Sequence, residues 1–563
     1  MAGNFVFLRS DWPELFGEAH RAERLARTDP RVACFYARRT LELTARWLYQ
    51  ADRTLRTPYK DDLNARLHEP TFKSLTGPVL LAKMNVIRNL GNEAVHGRRV
   101  VPERDAVAAV RELFHVACWL GWTYSRSVAS RPAANLRFDE ALLPQRQPSS
   151  PPTQSRAELK QLADKLAASD AVLVDERERS SALQDEIDAL RAEIVKAKAI
   201  NQSRPDLHDY DEQHTRDRYV DLLLHEAGWP LDKERDREFE VAGMPTPSGK
   251  GYVDYVLWNS DGRPLAVVEA KRARRSPREG QQQAKLYADR LEAVYGQRPL
   301  IYYTNGFEHW YWDDLRNPPR QVEGFHARDE LRLAIRRRTI RQSLADATIK
   351  PEIVERHYQH RAIRRIAEAF ELHNQRKALI VMATGAGKTR TVIALVDLLQ
   401  RCNWVKRVLF LADRNALVVQ AVNAFKQHLP SSSPVNLVTE RDGIGRVYAS
   451  TYPTMMNLID SARTSEGRRF GIGHFDLIVI DEAHRSVYQK YRAIFSYFDA
   501  MLVGLTATPR DEVDRDTYGL FDLEPGVPTD WYSLEEAVEG GYLVPYRAVS
   551  VPLLSRRHPV RRS

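Results

Sequence analysis

Cysteine is scarce in this chain. The three present among 563 residues, Cys34, Cys118 and Cys402, are too widely spaced for a disulfide framework or a zinc site. Long apolar runs are missing too, since no stretch approaches the roughly 18 residues a membrane-spanning helix needs. The N-terminus from Met1 to Arg9 has no basic region followed by an apolar core, which argues against a secretory signal. Together these absences point to a cytoplasmic protein. Acidic residues are the minority charge: 75 Asp and Glu against 84 Lys and Arg leave a net charge of +9. That balance suits a polyanionic partner without identifying one. The length suits about three or four domains, each able to bury its own core.

What is present changes character along the chain. Residues 1 to 130 read as helical, with apolar residues at helical spacing over 31–43 and 106–124. Between them, Ile87-Arg88-Asn89-Leu90-Gly91-Asn92-Glu93-Ala94-Val95-His96-Gly97 resembles the signature of a small helical domain of the HEPN-like, DUF4145 type. Such domains are often fused to restriction and defence proteins, and some relatives cut RNA with an Arg and a His. Arg88 and His96 stand wider apart than the usual ribonuclease spacing, which favours a polar cluster holding the helices together. Residues 131–155, with Pro144, Pro148, Pro151 and Pro152 among Ser and Gln, read as a linker. Leu159, Leu162, Leu166, Leu173, Leu183, Ile187, Leu190 and Ile194 then give a short, imperfect coiled-coil seam over 156–200. It either pairs two chains or packs back within one.

From about residue 205 strands alternate with helices. The runs 252–258, 265–270 and 300–304 are rich in β-branched and aromatic residues, and Asp261-Gly262 signals a tight turn between the first two. From Glu355 onward, buried strands at 378–382, 407–412, 477–480 and 501–505 separate helices, the pattern of a parallel α/β sheet.

Thr384-Gly385-Ala386-Gly387-Lys388-Thr389 follows the strand at 378–382 and opens a helix expected over 389–399. A glycine-bearing turn leaves backbone N–H groups free to cradle phosphates at a helix N-terminus. In such a loop Lys388 reaches the β- and γ-phosphates of ATP and Thr389 places its hydroxyl on Mg²⁺. Met382 stands where the first glycine of the loop is usual, a form familiar in superfamily 2 helicases. Asp481 and Glu482 end the strand at 477–480, positioned for Asp481 to bind Mg²⁺ and for Glu482 to polarise the attacking water. With Ala483 and His484 they resemble the DEAH box. Thr506-Ala507-Thr508-Pro509 resembles the motif that couples nucleotide state to domain movement. Arg356-His357-Tyr358-Gln359 resembles the adenine-reading element, with Gln359 as its hydrogen-bonding residue. Residues 411–415 and 450–454 resemble the strand-contacting segments or are ordinary loops.

Asp254 followed by Glu269-Ala270-Lys271 is the arrangement of a PD-(D/E)xK nuclease. Two strands would bring Asp254 and Glu269 together as ligands of Mg²⁺. Lys271, two residues after Glu269, faces the same side and can orient or deprotonate water and stabilise charge on the phosphorus centre. Gln283 and Tyr287, one helical turn apart, match a Gln-x-x-x-Tyr pair found in many nucleases of this group. Thr304-Asn305-Gly306 follows the next strand, and Glu212 is a candidate additional metal-site acid. The basic residues 271–275 and Arg278 either lie near the scissile phosphate or form a solvated loop.

From about Glu212 to Arg547 this order resembles the restriction (HsdR) subunit of Type I restriction–modification enzymes, including Ser533-Leu534-Glu535-Glu536-Ala537 and Gly541-Tyr542-Leu543-Val544-Pro545-Tyr546-Arg547. The resemblance implies a multidomain α/β protein. Its parts are a helical domain at 1–130, the linker and coiled coil, a nuclease domain at 205–335, one RecA-like motor domain at 350–548 and a basic tail at 549–563. It further implies ATP and Mg²⁺ as cofactors, double-stranded DNA as substrate, and methyltransferase and specificity subunits as partners. A full motor of the family has a second ATPase-fold domain, for which the residues after Pro509 leave no room. The expectation is therefore a truncated motor that binds ATP weakly and moves no DNA. The alternatives are a stand-alone defence or repair helicase–nuclease and a catalytically silent DNA-binding remnant.

Overall fold

The computed structural model of the chain describes residues 3–58, 62–96, 100–125, 131–133, 135–145, 158–162, 164–165, 219–271, 276–461, 463–464, 467–483, 485–508, 513 and 515–545. Most of the expected coiled coil, Glu212, the basic segment 272–275, His484, Pro509 and the tail at 549–563 lie outside these residues. So does the side chain of His96. Two compact units emerge: Met1–Ile340 with Tyr452–Phe475 and Gln489–Ala500, and Arg341–Thr451 with Asp476–Tyr488 and Met501–Ser563. Among the described residues no helix is long and apolar enough to cross a membrane.

The first unit begins with five helices: α1 (Pro13–Leu25), α2 (Pro30–Ala51), α3 (Leu63–His68), α4 (Pro70–His96) and α5 (Glu103–Tyr124). Pro30 starts α2 behind the cap residue Asp29, whose carboxylate accepts from Val32 N. In α4 the helix breaks direction at Gly77, φ 71°, just before Pro78. Leu41, Leu48, Met84, Ile87, Leu113 and Phe114 fill the core between these helices. At Gly91 a Cβ would meet Arg38 Cβ at 2.3 Å, so α2 and α4 approach through a missing side chain. Arg88 is buried and donates to Asn64 Oδ1 and, at 3.2 Å, to Asn89 Oδ1, a polar cluster inside the helical core.

The segment expected to be linker from Arg131 is packed in its first part. Trp122 Nε1 donates to Pro132 O at 2.9 Å, Asp139 N to Asn4 Oδ1 at 2.8 Å, and Leu143 is buried. Phe138 and Leu143 supply enough apolar surface to hold these residues against the helices, which the prolines and serines had obscured. Leu159, the first leucine of the expected seam, is buried beside Val32, Phe35 and Val95, so the described start of that helix packs back within the chain.

The same unit continues with α6 (Asp221–Glu226), β1 (Arg237–Ala242), β2 (Lys250–Trp258), β3 (Pro264–Ala270), α7 (Gln281–Tyr295), β4 (Leu300–Thr304), β5 (His309–Trp312), β6 (Arg320–Val322) and α8 (Arg328–Ile340). The sheet runs in the order β1-β2-β3-β4-β5-β6. Only β3 and β4 are parallel, joined by the crossover helix α7; the other pairs are antiparallel. Every residue of β3 is buried, which accounts for its apolar run over 264–268 before Glu269. Tyr287 and Leu291 of α7 cover one face with Val267, Ile301 and Tyr303, while Tyr255, Val268 and Tyr302 pack on the other with Leu224 and Leu331. Residues Tyr452–Phe475 and Gln489–Ala500, expected inside the motor domain, group with this sheet instead. Apolar packing and ion pairs join them to it: Ile472 is buried in the same core as Tyr302 and Leu331, Asp499 holds Arg320 at 2.6 Å and His326 at 3.1 Å, and Arg468 holds Glu226 at 2.8 Å.

The second unit is a seven-stranded parallel sheet. Its labelled elements are α9 (His357–Glu371), β7 (Lys377–Met382), α10 (Lys388–Arg401), β8 (Val408–Ala412), α11 (Asn415–His428), β9 (Pro434–Asn436), β10 (Val447–Thr451), β11 (Leu477–Ile480), β12 (Met501–Thr506), β13 (Asp530–Tyr532) and α12 (Leu534–Glu539). The strand order is β13-β7-β12-β11-β8-β10-β9. All six pairs are parallel, so every strand delivers its C-terminal end to the same edge, where ligands of open α/β sheets bind.

Candidate functional site

In the first unit the β2–β3 ladder pairs Tyr255 with Val268. One step further, Asp254 comes opposite Glu269 on the same face of the sheet. Asp254 Oδ2 accepts from Ala270 N at 2.7 Å, which fixes that carboxylate against the end of β3. Glu269 is buried, and its Oε1 accepts from Lys271 Nζ at 2.7 Å. The same ammonium donates to Gln283 Oε1 at 3.0 Å. Gln283 Nε2 then donates to the Tyr287 hydroxyl at 3.1 Å, and that hydroxyl donates to Tyr252 O at 2.9 Å. The result is one continuous chain of hydrogen bonds from β3 through α7 to β2.

Burial, and secondarily the negative charges of Glu269 and Asp254, push the Tyr287 phenol above its ordinary value. It therefore stays a neutral donor. Two glycines that the sequence did not single out allow this closeness. A Cβ at Gly280 would stand 3.0 Å from Glu269 Cγ, and one at Gly251 would stand 2.9 Å from Tyr287 Cε1. Their only sequence signal is a glycine just before a helix and just inside a strand. Asp254, Glu269, Lys271, Gln283 and Tyr287 are thus gathered in one place.

In the second unit, Thr384 to Gly387 form the turn between β7 and α10. Gly385 and Gly387 have φ of 85° and 93°, a left-handed backbone that glycine adopts without steric cost, and Gly387 caps α10. Ala386 is buried, Thr384 exposed and Thr389 half-buried. Lys388 Nζ lies 3.4 Å from Met382 O and 3.9 Å from Glu482 Oε1. Gln359 is buried beside the loop, its Nε2 within 3.4 Å of Ala386 O and 3.5 Å of Gly387 O. A Cβ at Gly387 would be 2.6 Å from that amide nitrogen. Asp481 and Glu482 follow β11, with Asp481 N donating to Leu411 O at 2.9 Å. Glu482 has φ 52°, an uncommon conformation for a residue with a side chain. All of these groups meet at the C-terminal edge of the sheet.

The sequence had noted Tyr358 only as part of a motif. Its hydroxyl donates to Ala386 O at 2.9 Å, its ring stacks on Tyr532 at 3.8 Å, and Arg356 donates to its oxygen at 2.7 Å. Leu543, part of the run at 541–547, closes on the loop as well. Its Cδ2 lies 3.2 Å from where a Gly385 Cβ would be.

The donor sets suit hard cations. Mg²⁺ is commonly held by one or two carboxylates together with water and phosphate oxygens. Asp254 with Glu269 in one unit, and Thr389 with Asp481 in the other, are oxygen donors of that kind. Among the described residues no group of three or more His, Cys, Asp and Glu side chains is gathered to hold a metal alone.

Family models match three parts of the chain: Domain of unknown function (DUF4145) over residues 20–137, Type I restriction enzyme R protein N terminus (HSDR_N) over 211–325, and Type III restriction enzyme, res subunit over 352–511. The second of these covers the Asp254–Glu269–Lys271 cluster and the third the phosphate-type loop. The chain is HsdR-like. It is 32% identical over 322 residues to the Type I restriction enzyme EcoAI endonuclease subunit of Escherichia coli, a match covering 53% of this HsdR-like chain and 38% of that protein. It is 28% identical over 412 residues to the EcoKI endonuclease subunit of Escherichia coli (strain K12), covering 58% and 34%. The HsdR-like chain thus spans little more than a third of the length of these curated relatives. A solved fragment described as an HsdR subunit of a type I restriction enzyme from Vibrio vulnificus YJ016 is 26% identical, covering 59% of this chain and 61% of that one, with a TM-score of 0.26.

Proposed function

We propose that this chain is a restriction-subunit-like protein that joins a Mg²⁺-dependent DNA endonuclease site of the PD-(D/E)xK type to an ATP-dependent DNA translocase site. The observation that carries the nuclease half is the hydrogen-bonded chain Glu269–Lys271–Gln283–Tyr287 beside Asp254. Asp254 and Glu269 would hold Mg²⁺, which supplies Lewis-acid stabilisation of charge on a phosphate and makes nearby water easier to deprotonate. Lys271, kept in place by Glu269 and Gln283, aims its ammonium at the face where a phosphodiester would lie. There it orients water and offsets negative charge as the P–O bond breaks. Tyr287 and Gln283 keep that ammonium from rotating away.

In the motor half, the turn at Thr384 to Gly387 leaves backbone N–H groups toward a triphosphate, and Lys388 would pair with its β- and γ-phosphates. Thr389 and Asp481 would hold Mg²⁺, Glu482 would polarise the attacking water, and Gln359 would read the adenine from its place beside the loop. The proposed partners are double-stranded DNA together with methyltransferase and specificity subunits. The proposed setting is the cytoplasm.

The test uses three purified full-length chains. Wild type and Lys388→Ala should both nick plasmid DNA in Mg²⁺, while only wild type and Glu269→Ala should bind a fluorescent ATP analogue. Loss of both properties in either variant would contradict the assignment of two separate chemistries.

A further inference from the structure

Beside the carboxylate pair, the sheet carries a row of side chains across one face. The β3–β4 register sets Tyr303 next to Glu269, and the β4–β5 register sets Trp310 next to Tyr303. With neighbouring strands about 4.8 Å apart, Trp310 stands roughly 10 Å from Glu269 along this row. Trp312, two residues on, shares the face. Each of these half-buried indoles carries a cation. The Arg278 guanidinium lies 4.8 Å from the Trp310 ring centre, and Lys285 Nζ lies 5.8 Å from that of Trp312. Tyr303 braces the first indole, its ring within 6° of parallel at 6.0 Å. Arg278 is two residues before Gly280, the position that comes within 3.0 Å of Glu269 Cγ.

These cations differ from others in the same sheet. Arg298, Arg320 and Arg338 are each tied to an aspartate, respectively Asp314, Asp499 and Asp313. Among the described residues neither Arg278 nor Lys285 has a carboxylate partner, and Arg278 is exposed. An exposed guanidinium and a half-buried ammonium held on aromatic faces, neither neutralised by a carboxylate, match the backbone of a polyanion in charge. Spacing them along the sheet from a carboxylate pair matches a strand that continues past a cut.

We propose that Arg278 and Lys285, mounted on Trp310 and Trp312, form a phosphate-binding ledge for the DNA strand leaving one side of the Asp254–Glu269 pair. The inference rests on the nuclease reading of that pair and adds where the substrate lies.

Binding of a labelled DNA duplex by the full chain, followed by fluorescence anisotropy in EDTA over a range of salt, tests it without any cutting. Arg278→Ala and Lys285→Ala should each reduce the slope of log Kd against log salt by about 0.9, and the double variant by about 1.8. Arg278→Lys should keep the wild-type slope. So should Arg263→Ala, an exposed cation at the β2–β3 turn of the same sheet. A double variant with the wild-type slope overturns the ledge, even if Glu269→Ala abolishes nicking and so upholds the nuclease. A double variant with the reduced slope, in a chain whose nicking does not depend on Glu269, keeps the DNA contact and overturns the nuclease reading alone.

Discussion

Lys271 Nζ lies 2.7 Å from Glu269 Oε1, two residues further along and on the same face of the sheet. A lysine so placed can serve a phosphate only if something stops it from closing fully onto the carboxylate. Gln283, 3.0 Å away on α7, does so by taking a second hydrogen bond from the same ammonium. The site is therefore an assembly of β2, β3 and α7, and its function should fail when any of the three links is cut.

Tyr287→Phe removes the link between α7 and β2 while keeping the ring that packs in the core. Two hydrogen bonds are lost, at about 1 kcal/mol each, so the fold should survive. Nicking in Mg²⁺ should fall by roughly ten-fold, because Gln283 and through it Lys271 lose their anchor. Circular dichroism alongside a nicking assay checks both parts.

Gly387→Ala should abolish nucleotide binding. The substitution forces a left-handed φ of 93° on a residue with a Cβ, at about 1–2 kcal/mol. It also places that Cβ 2.6 Å from Gln359 Nε2. Gly519→Ala, where nothing lies within 4 Å, should bind the nucleotide normally. Equilibrium titration of a fluorescent ATP analogue distinguishes the two.

Arg88→Ala tests the role of the helical cluster. Arg88 is buried and bonded to Asn64 and Asn89, so its loss should lower the stability of the helical region by about 1–3 kcal/mol. Plasmid nicking by the sheet domain should be unchanged. Hydrogen exchange localised to α3 and α4 measures the first effect, and a drop in nicking would show that the cluster does more than hold helices.

Acid should weaken the six-stranded sheet through His309. Complete burial lowers its pKa from 6.5 to about 4, and Nδ1 sits 2.8 Å from Thr304 Oγ1. Between those values the unfolded chain binds a proton that the folded chain refuses. Stability from the neutral ring is therefore full above pH 6.5 and is lost as pH falls toward 4, by up to about 3 kcal/mol. In His309→Gln the fall in melting temperature between pH 7 and pH 4.5 should be correspondingly smaller.

How much of this was legible depended on whether the chemistry was local. Glu269 and Lys271 are two apart on a strand, Gln283 and Tyr287 four apart on a helix, and Thr384 to Thr389 are contiguous, so periodicity alone places each group. The packed start of the expected linker was hidden because its few apolar residues, such as Phe138 and Leu143, sit among prolines and polar side chains. Strands β10 and β13 were not anticipated, because β10 ends in Ser450 and Thr451 rather than in an apolar run and β13 is only the three residues Asp530–Tyr532. Gly251, Gly280 and Leu543 matter through approaches between elements distant in sequence, which no spacing rule records. The grouping of residues 452–475 with the first unit has the same origin, in contacts such as Ile472 in the core of the sheet and Arg468 with Glu226.

The most direct measurement is nicking of supercoiled plasmid DNA by the full chain in Mg²⁺, compared among wild type, Glu269→Ala and Lys271→Ala. Wild type should nick, each variant should lose at least about 10²-fold, and Glu269→Ala should keep its DNA affinity in EDTA. Equal nicking by all three chains would contradict the nuclease assignment.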